Sequence, residues 1–159
     1  KLCRYLRKQG FKAEFYHGKC EDKPARLERF ASGKVKVMVA TNAFGLGVNI
    51  PNIRLVIHHA PLIGLDDYTQ EAGRAGRDGK KSTALLLWHE YDFTINRRLI
   101  KENQLELKGA ELKERLHALE ALHDYACENH KCRWCMIREF FGEKSGKRCK
   151  KRCDNCKNR

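Results

Sequence analysis

The chain has 159 residues, is 42% hydrophobic and carries a formal net charge of +13, with a pI near 9.5. That length holds one ordinary domain, or one domain and a small module, and its apolar share allows a packed core; no apolar run reaches the ~20 residues of a membrane span. The basic balance points to a polyanion, nucleic acid before an acidic membrane surface, and eleven Lys/Arg against three Asp/Glu from Lys131 to Arg159 put +8 of the +13 in the C-terminal tail.

The chain opens, without an initiator methionine, on Lys1-Leu2-Cys3-Arg4-Tyr5-Leu6. This reads as the middle of a helix, so a segment of a longer protein is expected, and no signal peptide is recognised. Residues 1–9 are helical up to Gly10. Lys12 to Tyr16 is a short strand that turns at His17-Gly18. Residues 23–32 form a helix with Pro24 early, Leu27 and Phe30 three apart, and Gly33 closing it. Val35 to Ala40 is a β-branched strand. Asn42 to Pro51, with Gly45, Gly47 and Pro51, is a loop with a helical turn. Ile53 to His58 is a buried strand, residues 66–76 a helix ending in Gly-Arg-Asp-Gly, and Ser82 to Trp88 a third apolar strand. This alternation predicts a parallel α/β sheet covered on both faces. Beyond about residue 92 the pattern changes. Leu112, Leu116, Leu119, Leu122 and Ala126 keep the 3/4 spacing of an amphipathic helix, and a cysteine-rich module follows. The boundary falls between 92 and 108, giving an α/β lobe over residues 1–95 and a helical linker with the cysteine module over 96–159.

The densest chemistry lies in Gln70-Glu71-Ala72-Gly73-Arg74-Ala75-Gly76-Arg77-Asp78-Gly79. On a helix, Gln70, Arg74 and Arg77 are four and three apart and share one face. Glycine twice within such a helix costs about 1 kcal/mol each relative to alanine, so a close approach is expected to justify it. Arginine grips phosphate oxygens with a bidentate fork. A cationic cluster that follows a strand lies where α/β folds bind ligands.

This stretch resembles motif VI of superfamily 2 helicases in the form used by the RecQ family. Val39-Ala40-Thr41-Asn42-Ala43-Phe44-Gly45-Leu46-Gly47-Val48-Asn49-Ile50-Pro51-Asn52 resembles motif V of the same family, and Tyr16-His17-Gly18 the turn before it. The resemblance covers nearly the whole chain. It implies the second RecA-like lobe, a P-loop NTPase fold, with ATP and Mg²⁺ bound in the cleft against the first RecA-like lobe. Arg77 is then the arginine finger, supported by Arg74, and Gln70 couples nucleotide state to closure of the lobes. Asn49 and Gly47 lie on the nucleotide side, while Thr41 and Asn42 track DNA phosphates. The family commonly has Asp and Lys where this chain has Asn49 and Ile50, so the expected ribose contact keeps a hydrogen-bonding group without its charge. The turn at His17-Gly18-Lys19 is shorter than the family's.

No Gly-x4-Gly-Lys-Ser/Thr loop is present. Gly79-Lys80-Lys81-Ser82 lacks the upstream glycine, and Gly142 to Lys147 has the wrong spacing. The chain by itself is therefore expected to bind without hydrolysing ATP.

Of eight cysteines, five lie at Cys132, Cys135, Cys149, Cys153 and Cys156. Tetrahedral zinc takes four ligands. Spacing alone favours Cys132-x2-Cys135 with Cys153-x2-Cys156. The resemblance to the RecQ zinc module implies instead Cys132, Cys149, Cys153 and Cys156, with Zn²⁺ structural because all four positions are filled by protein. Cys135 then competes or packs, and Cys127, His130, Cys3 and Cys20 are surface or packing residues. Lys144, Lys147, Arg148, Lys150, Lys151 and Arg152 are expected to contact DNA phosphates. Trp134 and Phe141 are expected in the core, with base stacking as the second option.

The resemblance thus implies part of an ATP-dependent 3′–5′ DNA helicase with roles in repair and recombination, working in the cytoplasm or nucleoid of a bacterium or the nucleus of a eukaryote. The partners are DNA, single-stranded or at junctions, and ATP, with no membrane. The rival readings are a non-enzymatic zinc-dependent nucleic-acid-binding module and an RNA helicase of the same superfamily.

Overall fold

Two short pairs of parallel strands organise the protein, each pair closed by a crossover helix. A parallel pair cannot be joined by a tight turn, so each helix follows from the strand pairing. The computed structural model describes residues 1–45, 48–102, 107–144 and 146–157. These divide into two compact units, Lys1–Arg54 with Gly76–Lys81, and Leu55–Ala75 with the chain from Ser82 onward.

The first unit contains α1 (Leu2–Lys8), β1 (Ala13–Tyr16), α2 (Lys23–Ala31), β2 (Val37–Ala40) and a 3-10 turn at Asn42–Gly45. The register of the pair sets Ala13 beside Val37 and Tyr16 beside Ala40. Its buried apolar residues include Cys3, Ala13, Tyr16, Val35, Val48, Ile50 and Ile53. Helix α2 carries Pro24 in its first turn, where the ring brings its own φ. It stops at Gly33, whose φ of +75° is left-handed. The Arg29 guanidinium meets the Glu14 carboxylate twice, at 2.7 and 2.8 Å, pinning α2 to β1. That contact holds the Glu14 carboxyl below the ordinary carboxylate range. Arg26 lies over the Phe15 ring at 4.2 Å.

The second unit contains β3 (Leu55–His58), α3 (Leu65–Ala72), β4 (Thr83–Leu86), α4 (Glu90–Lys101), α5 (Gly109–Cys127), α6 (Arg133–Phe140) and α7 (Asp154–Lys157). Strands β3 and β4 pair in parallel, with Ile57 beside Leu85. The core gathers Leu65 and Tyr68 of α3, Phe93 and Ile100 of α4, and Leu119 and Leu122 of α5. Each such side chain contributes about 1.5–3 kcal/mol by leaving water. Arg97 bonds Glu120 at 2.8 and 3.0 Å and fixes α4 along α5. Arg115 reaches Asp67 at 2.9 Å and ties α5 to α3. No described helix is long and apolar enough to cross a membrane.

Three expectations change. The helix over 66–76 ends at Ala72, and Gly73 caps it. Arg74 and Ala75 continue only as turns, bonding back three residues to Glu71 and Ala72. Gly76 then takes a left-handed φ of +69°. The two glycines are therefore the helix stop, and Gln70, Arg74 and Arg77 do not share a helical face. Secondly, α4 begins at Glu90, ahead of the stretch from residue 96 that was expected as a helical linker. Its N-terminus is a capping box in which His89 accepts from Tyr91 N–H at 3.1 Å and Asp92 accepts from His89 N–H at 2.8 Å; histidine stands in for the usual serine or aspartate. Thirdly, the second strand pair is not covered on both faces within its own unit. Leu55, Ile57, Leu85 and Leu87 alternate onto one face and are exposed, because the helices of that unit pack on the other face, where Leu86 joins their core and His58 meets Tyr68.

Candidate functional site

Within the first unit the parallel register brings the ends of β1 and β2 level, so His17 and Thr41 follow neighbouring strands. Thr41 donates its N–H to Tyr16 O at 3.1 Å and accepts from Phe44 N–H at 2.9 Å. Phe44 meets the rings of Tyr16 at 5.3 Å and Phe30 at 6.1 Å. This aromatic anchor leaves Thr41 and Asn42 exposed just past the carboxyl end of β2. Gly47 lies outside the described residues. Asn49 is exposed between the buried Val48 and Ile50.

Arg77 is reached by a second route. Gly76 N–H donates to Ile53 O at 2.8 Å and Asp78 N–H to Pro51 O at 3.2 Å. Arg54 clamps the Asp78 carboxylate at 2.7 Å, and that guanidinium holds the carboxyl below its ordinary range. The loop 76–81 is thereby fixed along residues 51–54. The Arg77 side chain turns onto Asn49, donating to its Oδ1 at 3.1 Å and to Val48 O at 3.4 Å. Motif V and motif VI residues thus meet through a neutral acceptor. The sequence placed both near nucleotide without foreseeing that they bond to each other.

Gln70 and Arg74 belong to the second unit. Gln70 is exposed and Arg74 half-buried. Gln70 lines a depression of about 500 Å³ with Asp66, Asp67, Thr69 and Phe141. Its two carboxylates make that depression a poor host for phosphate. The neighbouring Glu71 accepts a contact that sequence reasoning missed: its carboxylate lies 3.2 Å from Nε2 of the buried His58. Among the described residues His58 Nδ1 has no partner, and its ring meets Tyr68 edge-on at 5.0 Å.

From Tyr68 the packing leads into the cysteine module. Tyr68 contacts Tyr125 at 5.3 Å, and burial pushes both phenols up. The Arg133 guanidinium stands 5.1 Å from the Tyr125 ring. It also donates to the Tyr125 carbonyl and to Asp154 at 2.9 Å. Asn155, buried, donates to the carbonyls of Glu128 and Lys131, each at 2.9 Å. Residues on either side of the cysteines are therefore locked to α5.

The four sulfurs of Cys132, Cys149, Cys153 and Cys156 lie within 4.8 Å of one another. Cys132 caps α6, Cys153 precedes α7 and Cys156 lies inside it. Cys135 turns elsewhere, 3.5 Å from Gly146 O and 3.6 Å from Arg138. Backbone N–H groups aim at the sulfurs: Cys149 N–H at Cys132, 3.4 Å, and Cys153 N–H at Cys149, 3.3 Å. Burial opposes ionisation of Cys132, but the N–H groups of Cys135 and Cys149 outweigh it and hold this thiol at about 6. Burial and the adjoining sulfurs push Cys156 up to about 12. A set in which one thiol ionises readily and the next resists is what crowded negative charge produces, and a divalent cation relieves it.

The loop between Cys149 and Cys153 is strained. Lys150 and Lys151 have φ of 51° and 62°, costing roughly 1–2 kcal/mol per residue for a side-chain-bearing amino acid. Such strain persists where the surroundings over-determine it. The donor set and the strained loop both fit a bound metal. Lys144, Lys147, Arg148, Lys150, Lys151 and Arg152 are all exposed around it. Trp134 and Phe141 are not in the core: they are 53% and 55% exposed. Helix α6, which carries Trp134 and is capped by Phe141, buries Cys135 and packs Ile137 and Phe140 inward, leaving the two aromatic rings outside.

Residues 1–79 match the helicase conserved C-terminal domain and residues 90–157 the RecQ zinc-binding family. The ATP-dependent DNA helicase RecQ of Bacillus subtilis (strain 168) is 39% identical over 153 residues, 95% of this chain and 25% of the relative. The ATP-dependent DNA helicase Q1 of Pongo abelii is 35% identical, over 95% of this chain and 22% of the relative. The chain thus spans about a quarter of the length of the curated relatives it matches. A solved DEAD box protein from the hyperthermophile Methanococcus jannaschii superposes with a TM-score of 0.53 at 27% identity, over 67% of this chain and 30% of that one. With parallel strands joined by helices, this is the RecA-like lobe of a helicase followed by a cysteine-clustered module. The chain belongs to the RecQ family of superfamily 2 helicases.

Proposed function

We propose that this chain supplies one side of the composite ATP site of an ATP-dependent DNA helicase that moves 3′ to 5′, together with a zinc-pinned DNA-contacting module. The observation that carries the reading is the tether between Arg77 and Asn49, in which the exposed guanidinium of motif VI rests on motif V. A finger must be aimed yet free to leave its resting partner. A neutral amide acceptor, worth about 0.5–1.5 kcal/mol, offers that. In the transition state charge spreads over the phosphate oxygens, and a positioned guanidinium accelerates hydrolysis by about 10³–10⁵. That corresponds to about 4–7 kcal/mol. Arg74 and Gln70 support and couple this step, and nucleotide binding falls to Gly47 and Asn49. The phosphate loop and the Mg²⁺ ligands belong to the first lobe.

Cys132, Cys149, Cys153 and Cys156 hold Zn²⁺ as four thiolates, which leaves no site for water and makes the metal structural. Around it Lys147, Arg148, Lys151 and Arg152 neutralise DNA phosphates, while Thr41 and Asn42 donate to phosphates from the first unit. The exposed Trp134 and Phe141 offer faces for unpaired bases.

The test is Arg77→Ala in the longer protein that contains both lobes, assayed for DNA-stimulated ATP turnover beside wild type. We expect kcat to fall by about 10³ or more with DNA affinity kept. Turnover within about threefold of wild type would refute the finger assignment.

A further inference from the structure

A second cluster of metal-ligating side chains lies away from the four cysteines. We propose that Glu90, His123 and Cys127 form a separate zinc site, with one carboxylate oxygen, one imidazole nitrogen and one thiolate as ligands and water in the fourth position.

The three donor atoms lie within 4.8 Å of one another. His123 Nε2 stands 2.9 Å from Glu90 Oε2 and 3.5 Å from Cys127 Sγ. Tetrahedral zinc with bonds of about 2.0–2.3 Å sets its donors about 3.3–3.8 Å apart, so small side-chain rotations suffice. His123 and Cys127 are four apart on α5 and project from one face. Glu90 comes from the first turn of α4. The two helices run antiparallel, because Glu90 meets His123 while Arg97, seven residues on, meets Glu120. The Arg97–Glu120 fork fixes that register two turns away.

The surroundings suit a cation. Cys127 is the last residue of α5, where the helix carries partial negative charge. A carboxylate and a thiolate together cancel the charge of a divalent ion, and binding expels the thiol proton to solvent. The imidazole is aimed by its neighbours: its ring meets Phe93 at 4.7 Å and Trp88 at 6.4 Å, both near perpendicular. An imidazole, a thiolate and one carboxylate select zinc or a similar borderline metal over calcium or magnesium, which take oxygen ligands. With three protein ligands and exposure to solvent, this site binds more weakly than the four-cysteine cluster and stays open to a fourth ligand. Once filled, it staples the end of α5 to the start of α4, five residues before Cys132.

The test is a Co²⁺ titration of the reduced chain, followed by tetrahedral d–d absorption and thiolate charge transfer. We expect a first equivalent with a four-thiolate spectrum, then a second with a blue-shifted, one-thiolate spectrum. Cys127→Ser and Glu90→Gln each remove the second equivalent and keep the first, which reports that the module is folded. Cys135→Ser keeps both. Saturation of the wild type at one equivalent, or survival of the second in Cys127→Ser, would overturn the assignment.

Discussion

The cysteine module and the loop that carries Arg77 are both cationic and exposed, yet they are held by opposite means. Around the cysteines, four sulfurs converge, Arg133 bridges Tyr125 and Asp154, and Asn155 ties down two carbonyls. Even backbone strain at Lys150 and Lys151 is tolerated. Around Arg77, the loop is fixed by backbone bonds to Pro51 and Ile53 and by Arg54 on Asp78, while among the described residues the side chain bonds to Asn49 and Val48 alone. Chemistry that only presents charge gains from rigidity. A guanidinium that must meet a transferring phosphoryl group gains from an anchored base and a lightly held tip.

Stripping the metal tests the rigid side most severely. Structural zinc contributes on the order of 10–16 kcal/mol of apparent binding free energy in small modules at neutral pH. We therefore expect Cys153→Ser to lose the tightly held metal and unfold residues beyond Cys132, seen as lost amide protection, while Cys135→Ser keeps both. On the lightly held side, Asn49→Ala removes a single neutral bond. In the two-lobed protein we expect kcat/KM for ATP to fall by less than about tenfold, the scale of about 0.5–1.5 kcal/mol, against the far larger loss in Arg77→Ala. Equal losses in the two variants would mean that Asn49 does more than rest the side chain.

Replacing Lys150 by glycine separates strain from charge. The left-handed φ becomes free of penalty, a gain below about 1 kcal/mol after glycine's extra unfolded entropy. One phosphate contact also disappears, so the slope of log K against log salt for duplex DNA shallows by about 0.9. The smallest effect is expected in the first unit. Folding depresses the Glu14 carboxyl through Arg29, so this pair stabilises at neutral pH and loses its contribution as pH falls through the folded value. Urea midpoints of wild type and Glu14→Gln should differ at pH 7 and converge as the solution is taken to pH 3.

The parallel α/β alternation was readable because β-branched runs and glycine punctuation set strands and helix stops locally. Strands β1 to β4 lie inside the stretches marked for them. Motif VI was readable as a mark of the family and misleading as geometry: the 4/3 spacing of Gln70, Arg74 and Arg77 suggested one helical face, but Gly73 and Gly76 end the helix first. The early start of α4 at Glu90 escaped notice because a histidine cap is uncommon. The cysteine group that converges is the one implied by family resemblance. Spacing alone favoured Cys135, which tertiary packing turns toward Gly146. Trp134 and Phe141 looked like core residues by type, and only the orientation of α6 places them outside. The buried contact of His58 with Glu71 joins positions 13 apart and has no local signature.

The left-handed pair at Lys150 and Lys151 also bears on how the protein is degraded. Trypsin-like proteases need an extended segment with a basic residue at the cut, and Lys150-Lys151-Arg152 offers three such bonds in succession. While the loop is wound tightly between Cys149 and Cys153, none of them is presented in an extended form. When the sulfurs are oxidised or chelated, the strain relaxes and all three bonds become substrate. The lysines proposed to meet nucleic acid are thus expected to become protease-sensitive when the metal is lost.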